Sequence, residues 1–348
     1  MSAFGTTDAY ELVEHLSATV PPPFVVSATE GGSVSELIAY DEARLDYVGS
    51  DFIVGTPILM DVQRTVKRVR RRNRQRKWGR SMVLLSGATG TGKTTTLVAA
   101  ARRCVVETRK LSPDHALPVL FVDAPAGATP KSVVMAFLHA LRLNVPRATT
   151  LAEMTNLFIA HANDLDIRLV VVDELHNLAD TRRSTVDAAN MLKLLTNQVT
   201  ATFIYSGIDI DSGPLMSGPQ GNQLAGRSTA HKLVPVTLAG ATGPAEWLGL
   251  IRAFESQLCL RDHPPGTLAA FADHLHRRTG GSIGSLRQLL VDAAMDIIDE
   301  HQVALQDGGE FHRAERIDQS DLDRVQLDLR AESRGGSRSP MPKKRAAA

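Results

Sequence analysis

The stretch Gly87-Ala-Thr-Gly-Thr-Gly-Lys-Thr94 decides the fold of this chain. It matches, at every fixed position, the glycine-rich loop that binds nucleotide phosphates. The apolar run Met82 to Leu85 precedes it and predicts a short buried strand, and a helix is predicted from Lys93 to about Lys110. The loop therefore lies between a strand and a helix, where backbone N–H groups and a helix N-terminus face a bound anion. This context predicts a phosphate site at the edge of a parallel α/β sheet.

Further short apolar runs predict the remaining strands of the sheet. They lie at 119–122, 169–172 and 202–205, and helical patterns are found at 131–143, 151–163 and 185–199. Continuous apolar runs are typical of strands covered on both faces, and their alternation with helices predicts a parallel sheet. A fifth strand is predicted from Val234 to Leu238. Beyond it, residues 244–305 show helical patterns alone, which indicates a small helical lid.

These patterns divide the chain into four segments. They are an N-terminal arm with a first segment (1–55), an α/β nucleotide-binding domain (56–240), a helical lid (241–305) and a C-terminal extension (306–348). The arm holds a short amphipathic stretch from Ala9 to Leu16. Beyond about residue 332 the extension has no apolar pattern, so a disordered basic tail is expected there.

The composition is that of a soluble globular protein. Of the 348 residues, 43% are hydrophobic and 22% are charged, and the net charge is +1. The two cysteines, Cys104 and Cys259, lie far apart in apolar helical patterns, so a reducing, cytoplasmic setting is expected rather than a disulfide framework. No apolar run approaches the roughly 20 residues that cross a bilayer. Acidic residues stand near the N-terminus, where a signal peptide would carry basic ones.

The phosphate loop assigns a role to its charged and hydroxyl side chains. Lys93 is expected to neutralise β- and γ-phosphate oxygens, and Thr94 to coordinate Mg²⁺. The glycines allow backbone N–H groups to turn towards the phosphates. The predicted nucleotide-binding residues here are Gly87, Ala88, Thr89, Gly90, Thr91, Gly92, Lys93, Thr94 and Thr95. A glycine-rich turn with a chance Lys-Thr pair is the alternative, which the strand and helix around the loop disfavour.

Asp173 and Glu174 follow the apolar run 169–172 directly. Because parallel sheets bind ligands at the carboxyl ends of their strands, both carboxylates are expected beside the phosphate loop. Asp173 is expected to hold Mg²⁺ with Thr94, and Glu174 to act as general base on the attacking water, a pairing that favours ATP over GTP. The plainer alternative is a solvated strand end. His176 either senses the γ-phosphate or caps the turn, and the sequence leaves both open.

Three further stretches are distinctive: Asp173-Glu174-Leu-His176-Asn177, Ile204-Tyr-Ser-Gly207 and Gly280-Gly-Ser-Ile-Gly284-Ser-Leu-Arg287. Together they resemble the TniB/TnsC-type transposition ATPases, which are AAA+ regulators of DDE-transposase systems. The resemblance covers roughly residues 37–300. It implies a P-loop NTPase fold of the AAA+ type, with a parallel sheet flanked by helices and a small all-helical lid. It also implies ATPase activity with ATP and Mg²⁺.

The same resemblance implies roles for residues outside the phosphate loop. Ser206, at the end of the fourth predicted strand, falls at the family's sensor position. Arg227 ends a Gln-Leu-x-x-Arg pattern, and in AAA+ rings such an arginine reaches the γ-phosphate bound by the neighbouring subunit. Arg227 is therefore the expected arginine finger of a homo-oligomer. Gly284 stands where many AAA+ relatives carry a second sensor arginine, and a nucleotide contact by Arg287 stays open.

A basic run from Arg64 to Arg80 contains ten Lys or Arg residues and no acid. If the family's duplex-DNA binding applies, this run would contact phosphates without reading sequence. A solvated helix face, neutralised by acids such as Asp41, Glu42 and Asp46, is the alternative. The DNA contacts could instead come from Gly127 to Lys131 after the second strand, with the C-terminal basic tail as a further contact.

The leading hypothesis from the sequence is an AAA+ ATPase that regulates DNA transposition. ATP would drive oligomerisation on duplex DNA, the ring or filament would recruit a DDE-type transposase, and hydrolysis would disassemble it. The alternative is a nucleotide-switched protein-interaction ATPase with little turnover and no direct DNA binding. An origin-recognition or loader ATPase is disfavoured, because such proteins append a winged-helix domain and only 306–348 follows the lid. No membrane association is expected.

Overall fold

The computed structural model describes residues 8–17, 33–146, 148–178, 182–307, 313–328 and 331. Their contacts form two compact units. The sheet unit holds the described residues up to 17 and those of 55–234, and the helical unit holds those of 33–54 and from 235 onward. Over the described part of the chain, no helix is long and apolar enough to cross a membrane. The basic tail predicted beyond residue 332 lies outside the described residues.

Five strands form the sheet, and helices follow or precede each of them. The strands are β1 (Met82–Gly87), β2 (Val119–Asp123), β3 (Leu169–Asp173), β4 (Thr202–Gly207) and β5 (Ser228–Leu233). The first eight helices are α1 (Ala9–Ser17), α2 (Val34–Gly49), α3 (Pro57–Arg74), α4 (Lys93–Arg109), α5 (Pro130–Ala140), α6 (Leu151–Asp164), α7 (Arg182–Gln198) and α8 (Gly218–Ala225). All of these except α2 belong to the sheet unit. Short 3₁₀ turns occupy Leu175–Leu178 and Pro214–Met216.

The sheet is parallel throughout, in the order β2-β3-β4-β1-β5. Strands β1, β3 and β4 are buried along their whole length, which explains their continuous apolar sequences. The carboxyl ends of all five strands meet at one edge of the sheet. There, the loop after β1 and the end of β3 are separated only by β4, a distance of roughly 10 Å. The strand order therefore brings the two predicted halves of the phosphate site together.

The position of the fifth strand differs from the prediction. The sequence pattern placed it at Val234 to Leu238, but β5 is Ser228–Leu233. It stands at the end of the strand order beside β1, so it is an edge strand. Three of its six residues are partly buried, two are exposed and one is buried. A strand whose side chains are not buried on both faces needs no continuous apolar run, which is why the polar sequence of β5 gave no signal, whereas the buried edge strand β2 did.

The helical unit contains no strand among its described residues, as predicted for the region after Leu238. Its helices besides α2 are α9 (Gly243–Glu255), α10 (Ala272–Thr279), α11 (Ile283–Gln306) and α12 (Gln319–Arg324), with a 3₁₀ turn at Thr267–Phe271. Trp247 lies in the core and is fully buried. Its indole Nε1 donates a hydrogen bond to the Ala272 carbonyl oxygen at 2.9 Å.

The two units do not follow the expected segment borders. The helix α1 lies in the core of the sheet unit through Leu12, Val13 and Leu16, whereas an arm was expected there. The helix α2 instead packs along α11 in the helical unit. The helix α12, in the expected C-terminal extension, also contributes to the core of the helical unit through Leu322. Amphipathic helices bury their apolar faces wherever a complementary face is available, and sequence position does not decide where.

Both cysteines are buried, and they form no disulfide with each other. Cys104 lies within α4, and burial raises the pKa of its thiol to about 11, so it is a core residue and not a nucleophile. Cys259 follows α9 and lies outside any helix with a φ of 55°, so the helical context predicted for it is wrong.

Candidate nucleotide-binding site

The loop between β1 and α4 has the backbone of an anion cradle. Gly90 and Gly92 have φ values of 80° and 84°, which a residue with a side chain rarely adopts. Gly92 precedes α4 without any side-chain cap, so the first backbone N–H groups of the helix are left for another acceptor. A Cβ at Gly87 would lie 2.5 Å from the Leu233 carbonyl oxygen, so only glycine allows β5 to approach this closely. The backbone of the loop is therefore compatible with the phosphate-binding role predicted for it.

Lys93 is a buried cation with a neutral partner. Its side chain is 6% exposed, and its Nζ donates a hydrogen bond to the Ala88 carbonyl oxygen at 3.0 Å. Among the described residues, no carboxylate forms an ion pair with it. A buried ammonium group is costly unless a negative charge compensates it. The site is therefore electrostatically prepared for an anion at the mouth of the loop.

Thr94 and Asp173 are in direct contact. Thr94 Oγ1 donates to Asp173 Oδ2 at 2.9 Å, and Asp173 Oδ1 accepts from the backbone N–H of Glu174 at 2.8 Å. The contact joins the first turn of α4 to the end of β3. A hydroxyl and a carboxylate are oxygen ligands of the kind that Mg²⁺ prefers. These two side chains fit the metal role predicted for them.

Glu174 lies next to this pair with its side chain 43% exposed. Its φ of 54° is unusual for a residue other than glycine, and such backbone conformations are enriched at functional sites. His176 Nε2 is 3.5 Å from Glu174 Oε2, and His176 Nδ1 accepts from the backbone N–H of Ile208 at 3.4 Å. His176 therefore lies between the predicted base and the end of β4, a position that the sequence alone did not settle.

Ser206 lies near the end of β4, between β1 and β3. It is fully buried, and its Oγ has no hydrogen-bond partner among the described residues. A buried hydroxyl without a partner is uncommon, because its desolvation is then uncompensated. The next residue, Gly207, lies so close to His176 that a Cβ would come within 2.9 Å of its backbone nitrogen. The strand end with the predicted sensor is thus packed against the turn after Glu174.

Arg227 lies at the opposite edge of the sheet. It directly precedes β5, and its backbone carbonyl accepts from the N–H of Met82 at the start of β1. Its NH1 donates to Asn197 Oδ1 at 2.8 Å. The structure therefore does not bring Arg227 to the phosphate loop of its own chain.

Arg287 is engaged inside the helical unit. Its NH2 donates to the Ser50 carbonyl oxygen at 2.6 Å, and its guanidinium stacks over Phe52 at 5.2 Å. Both contacts are made within residues of the helical unit. They give Arg287 a structural role there.

The helical unit contains a second group of potential ligands that sequence reasoning missed. Asp41, His301 and Glu315 offer ligand atoms within 4.8 Å of one another. However, Arg44 contacts both Asp41 and Glu315, at 2.5 and 2.6 Å, and Arg261 contacts Asp41 at 2.6 Å. Two guanidinium groups therefore already balance the two carboxylates. The group is a closed ion network and not a metal site, and its members are too far apart in sequence to form a recognisable motif.

This parallel sheet, with its phosphate loop, its acidic strand end and a helical unit that follows, defines the protein as a member of the AAA+ class of P-loop ATPase folds. The chain belongs to the family described as "Bacterial TniB protein", whose sequence pattern matches residues 44–234. No curated protein matches the sequence. The resemblance noted from the sequence motifs is thereby confirmed.

Several solved structures share this fold at low sequence identity. ORC1 of Aeropyrum pernix, solved in complex with DNA, is 18% identical with a TM-score of 0.54, covering 83% of this chain and 68% of that one. ORC2 of the same organism, solved in ADPNP-ADP complexes, is 15% identical with a TM-score of 0.58, covering 84% and 72%. Cdc6p of Pyrobaculum aerophilum is 15% identical with a TM-score of 0.51, covering 76% and 67%. At these identities the likeness concerns the fold alone.

Proposed function

We propose that this protein is an ATPase that regulates DNA transposition. ATP would drive its oligomerisation on duplex DNA, the oligomer would recruit a DDE-type transposase, and hydrolysis would disassemble it. The 2.9 Å contact between Thr94 and Asp173 carries the ATPase part, because it joins the phosphate loop to the acidic strand end. Membership of the TniB family supports the transposition part.

Each side chain of the site has a defined task in this proposal. Lys93 binds β- and γ-phosphate oxygens, exchanging its carbonyl partner for an anion. Thr94 and Asp173 hold Mg²⁺, which when bound supplies positive charge at the phosphate oxygens. Glu174 orients the attacking water and accepts its proton. Ser206, whose hydroxyl has no partner within the described part of the chain, contacts the γ-phosphate or that water.

Arg227 supports an oligomer in this proposal. Because it lies at the sheet edge away from its own phosphate loop, it can complete a nucleotide site only in a neighbouring subunit. An arginine supplied in trans stabilises the charge that develops during phosphoryl transfer. Its present hydrogen bond to Asn197 would be exchanged for that contact.

Direct DNA binding is tested by fluorescence polarisation of a labelled random-sequence duplex at ~0.15 M salt, with ATP, ADP or no nucleotide. Binding that requires ATP and disappears in Lys93→Ala is expected. Absence of DNA binding in every nucleotide state would overturn the DNA-bound regulator in favour of a nucleotide-switched protein-interaction ATPase. Measured turnover stimulated by duplex DNA would count against that second function.

A further inference from the structure

The end of α3 and the turn that follows it form an unusual surface of the sheet unit. Five of the seven residues at 71–77 are Arg or Lys, and none is acidic. Next to them stands Trp78, which is 80% exposed. The Trp78 surface is defined here as Arg71, Arg72, Arg74, Arg76, Lys77 and Trp78, all of which are exposed. Tryptophan is enriched at binding interfaces, because its large apolar ring also carries an N–H donor.

The basic run of α3 separates into two parts according to its partners. In the first part, Lys67 and Arg70 share one carboxylate, Glu107. The first part of the run is therefore neutralised by Glu107, and not by Asp41, Glu42 or Asp46 as considered from the sequence. In the second part, among the described residues, Arg71, Arg72, Arg74 and Lys77 form no ion pair. The positive charge of the Trp78 surface is therefore uncompensated.

The turn that carries this surface is firmly anchored from beneath. Asn73 is buried, donates to the Ser81 carbonyl oxygen at 2.7 Å and to Thr202 Oγ1 at 2.9 Å, and accepts from the Ser81 N–H. Arg80 donates to the backbone carbonyls of Asn197 and Val199 at 2.7 and 3.1 Å. These hydrogen bonds tie the residues on both sides of the turn to the sheet unit, and Trp78 lies exposed between them.

We infer that the Trp78 surface is a duplex-DNA contact of this protein, in which the cations bind backbone phosphates and the indole packs against the sugars and base edges. This inference rests on the proposed function and specifies which surface of the protein contacts the DNA. A row of cations without interspersed acids is complementary to a polyanion such as the DNA backbone. Base or sugar contact by an aromatic ring adds an apolar term that tolerates any sequence.

The Trp78 surface and the nucleotide site lie at opposite edges of the sheet. The helix α3 ends just before β1 begins, so the Trp78 surface lies at the amino edge of the sheet, and the phosphate loop lies at the carboxyl edge. The stretch Gly127 to Lys131, the other DNA contact considered from the sequence, follows β2 and lies at that carboxyl edge as well. Substitutions in the Trp78 surface should therefore weaken DNA binding without changing nucleotide affinity.

The test compares the charge variant Arg72→Ala/Arg74→Ala with the matched control Lys110→Ala/Arg252→Ala, which removes the same charge from exposed positions outside the basic run. Duplex affinity is measured with ATP at several salt concentrations. In the charge variant, the slope of log affinity against log salt should fall by about 2, one for each DNA phosphate that the protein no longer neutralises. The control should keep the wild-type slope, and both variants should bind ATP normally.

Trp78 provides its own readout, because the only other tryptophan, Trp247, is fully buried. Acrylamide quenching of the exposed indole should decrease when duplex DNA is added, and Trp78→Phe should abolish this change. Trp78→Ala should weaken duplex binding relative to the wild type. If the wild type binds duplex and these variants behave like it, the Trp78 surface is not the contact. If the wild type binds no duplex at all, the proposed function itself fails.

Discussion

Two buried groups of polar side chains, one in each unit, use similar residues in opposite ways. The phosphate edge of the sheet unit holds Lys93, Thr94, Asp173 and Ser206. The charge cluster of the helical unit holds Asp41, Arg44, Arg261, His301 and Glu315. In the charge cluster each carboxylate contacts at least one guanidinium. At the phosphate edge a buried lysine has a carbonyl partner, and a buried serine hydroxyl has no partner among the described residues.

The difference shows how a ligand site is told from a structural network. Burying a charge costs free energy in both places, so each needs compensation. The charge cluster obtains it from its own members and has no capacity left for a metal ion. The phosphate edge lacks that internal compensation, and a bound anion with Mg²⁺ would supply it. Buried charged or polar groups that lack compensating partners, rather than the number of potential ligands, indicate the binding site.

The largest expected effect comes from Lys93→Ala at the phosphate edge. Removing the cation that faces the cradle should lower ATP affinity by more than about 100-fold. The fold should persist, because burying the Lys93 ammonium group without a ligand costs more free energy than its contacts contribute to stability. Nucleotide binding is measured by titration with a fluorescent ATP analogue, and circular dichroism checks the fold. Retained ATP affinity in the folded variant would show that the phosphate edge is not the ATP-binding site.

Glu174→Gln separates hydrolysis from binding at the same edge. The amide cannot accept the proton of the attacking water, so turnover should fall by about 10² to 10⁴-fold while ATP affinity stays near that of the wild type. The variant should also remain assembled on duplex DNA longer than the wild type. Turnover is measured by phosphate release and assembly lifetime by dissociation after dilution. Wild-type turnover in this variant would assign the base to another residue.

Arg44→Met tests whether the ion pairs of the charge cluster stabilise the fold. The substitution leaves Asp41 and Glu315 buried with one guanidinium fewer, which should destabilise folding by about 3–5 kcal/mol. Unfolding in urea, followed by circular dichroism, measures the loss. Asp46→Asn, an exposed change on the same helix, serves as the control and should alter stability by less than about 0.5 kcal/mol. A similarly small effect of Arg44→Met would mean that the cluster is not structural.

His263 gives the smallest expected effect, through pH. Burial lowers the pKa of His263 below its ordinary 6.5, and its hydrogen bond to Glu255 opposes this only in part. The neutral imidazole also accepts from the N–H of Ile317 at 3.3 Å. Its contribution to stability is therefore fully present above about pH 6.5 and is lost as pH falls from there through the lowered pKa.

The measurement for His263 is the free energy of unfolding between pH 5 and pH 7, in steps of about half a unit. The wild type should lose stability as the solution becomes more acidic across this window. In His263→Gln that slope should be shallower, because the uncharged amide does not titrate. Parallel pH profiles in the two proteins would show that other groups account for the acid sensitivity.

The sequence predicted the strands well where their side chains are buried and poorly for β5, whose side chains are mostly not. Strands β1 to β4 lie where short apolar runs were found, since a strand covered on both faces has apolar residues at every position. The strand β5 was misplaced because, unlike the other edge strand β2, it is little buried and carries polar residues such as His231 and Lys232. The neighbouring Val234-Pro-Val-Thr-Leu238 has more apolar residues, but its proline cannot donate to a sheet ladder.

The sequence by itself determined the phosphate loop, the acidic strand end and the family, because these depend on residue types at short, fixed spacings. The tertiary structure alone decided which distant charges meet, such as Asp41 with Glu315, and that the Ser206 hydroxyl lacks a partner within the described part of the chain. It also decided that Trp78 faces solvent while Trp247 fills a core, although both are the same residue. Burial and pairing depend on what the rest of the chain places nearby, and local sequence carries no record of that.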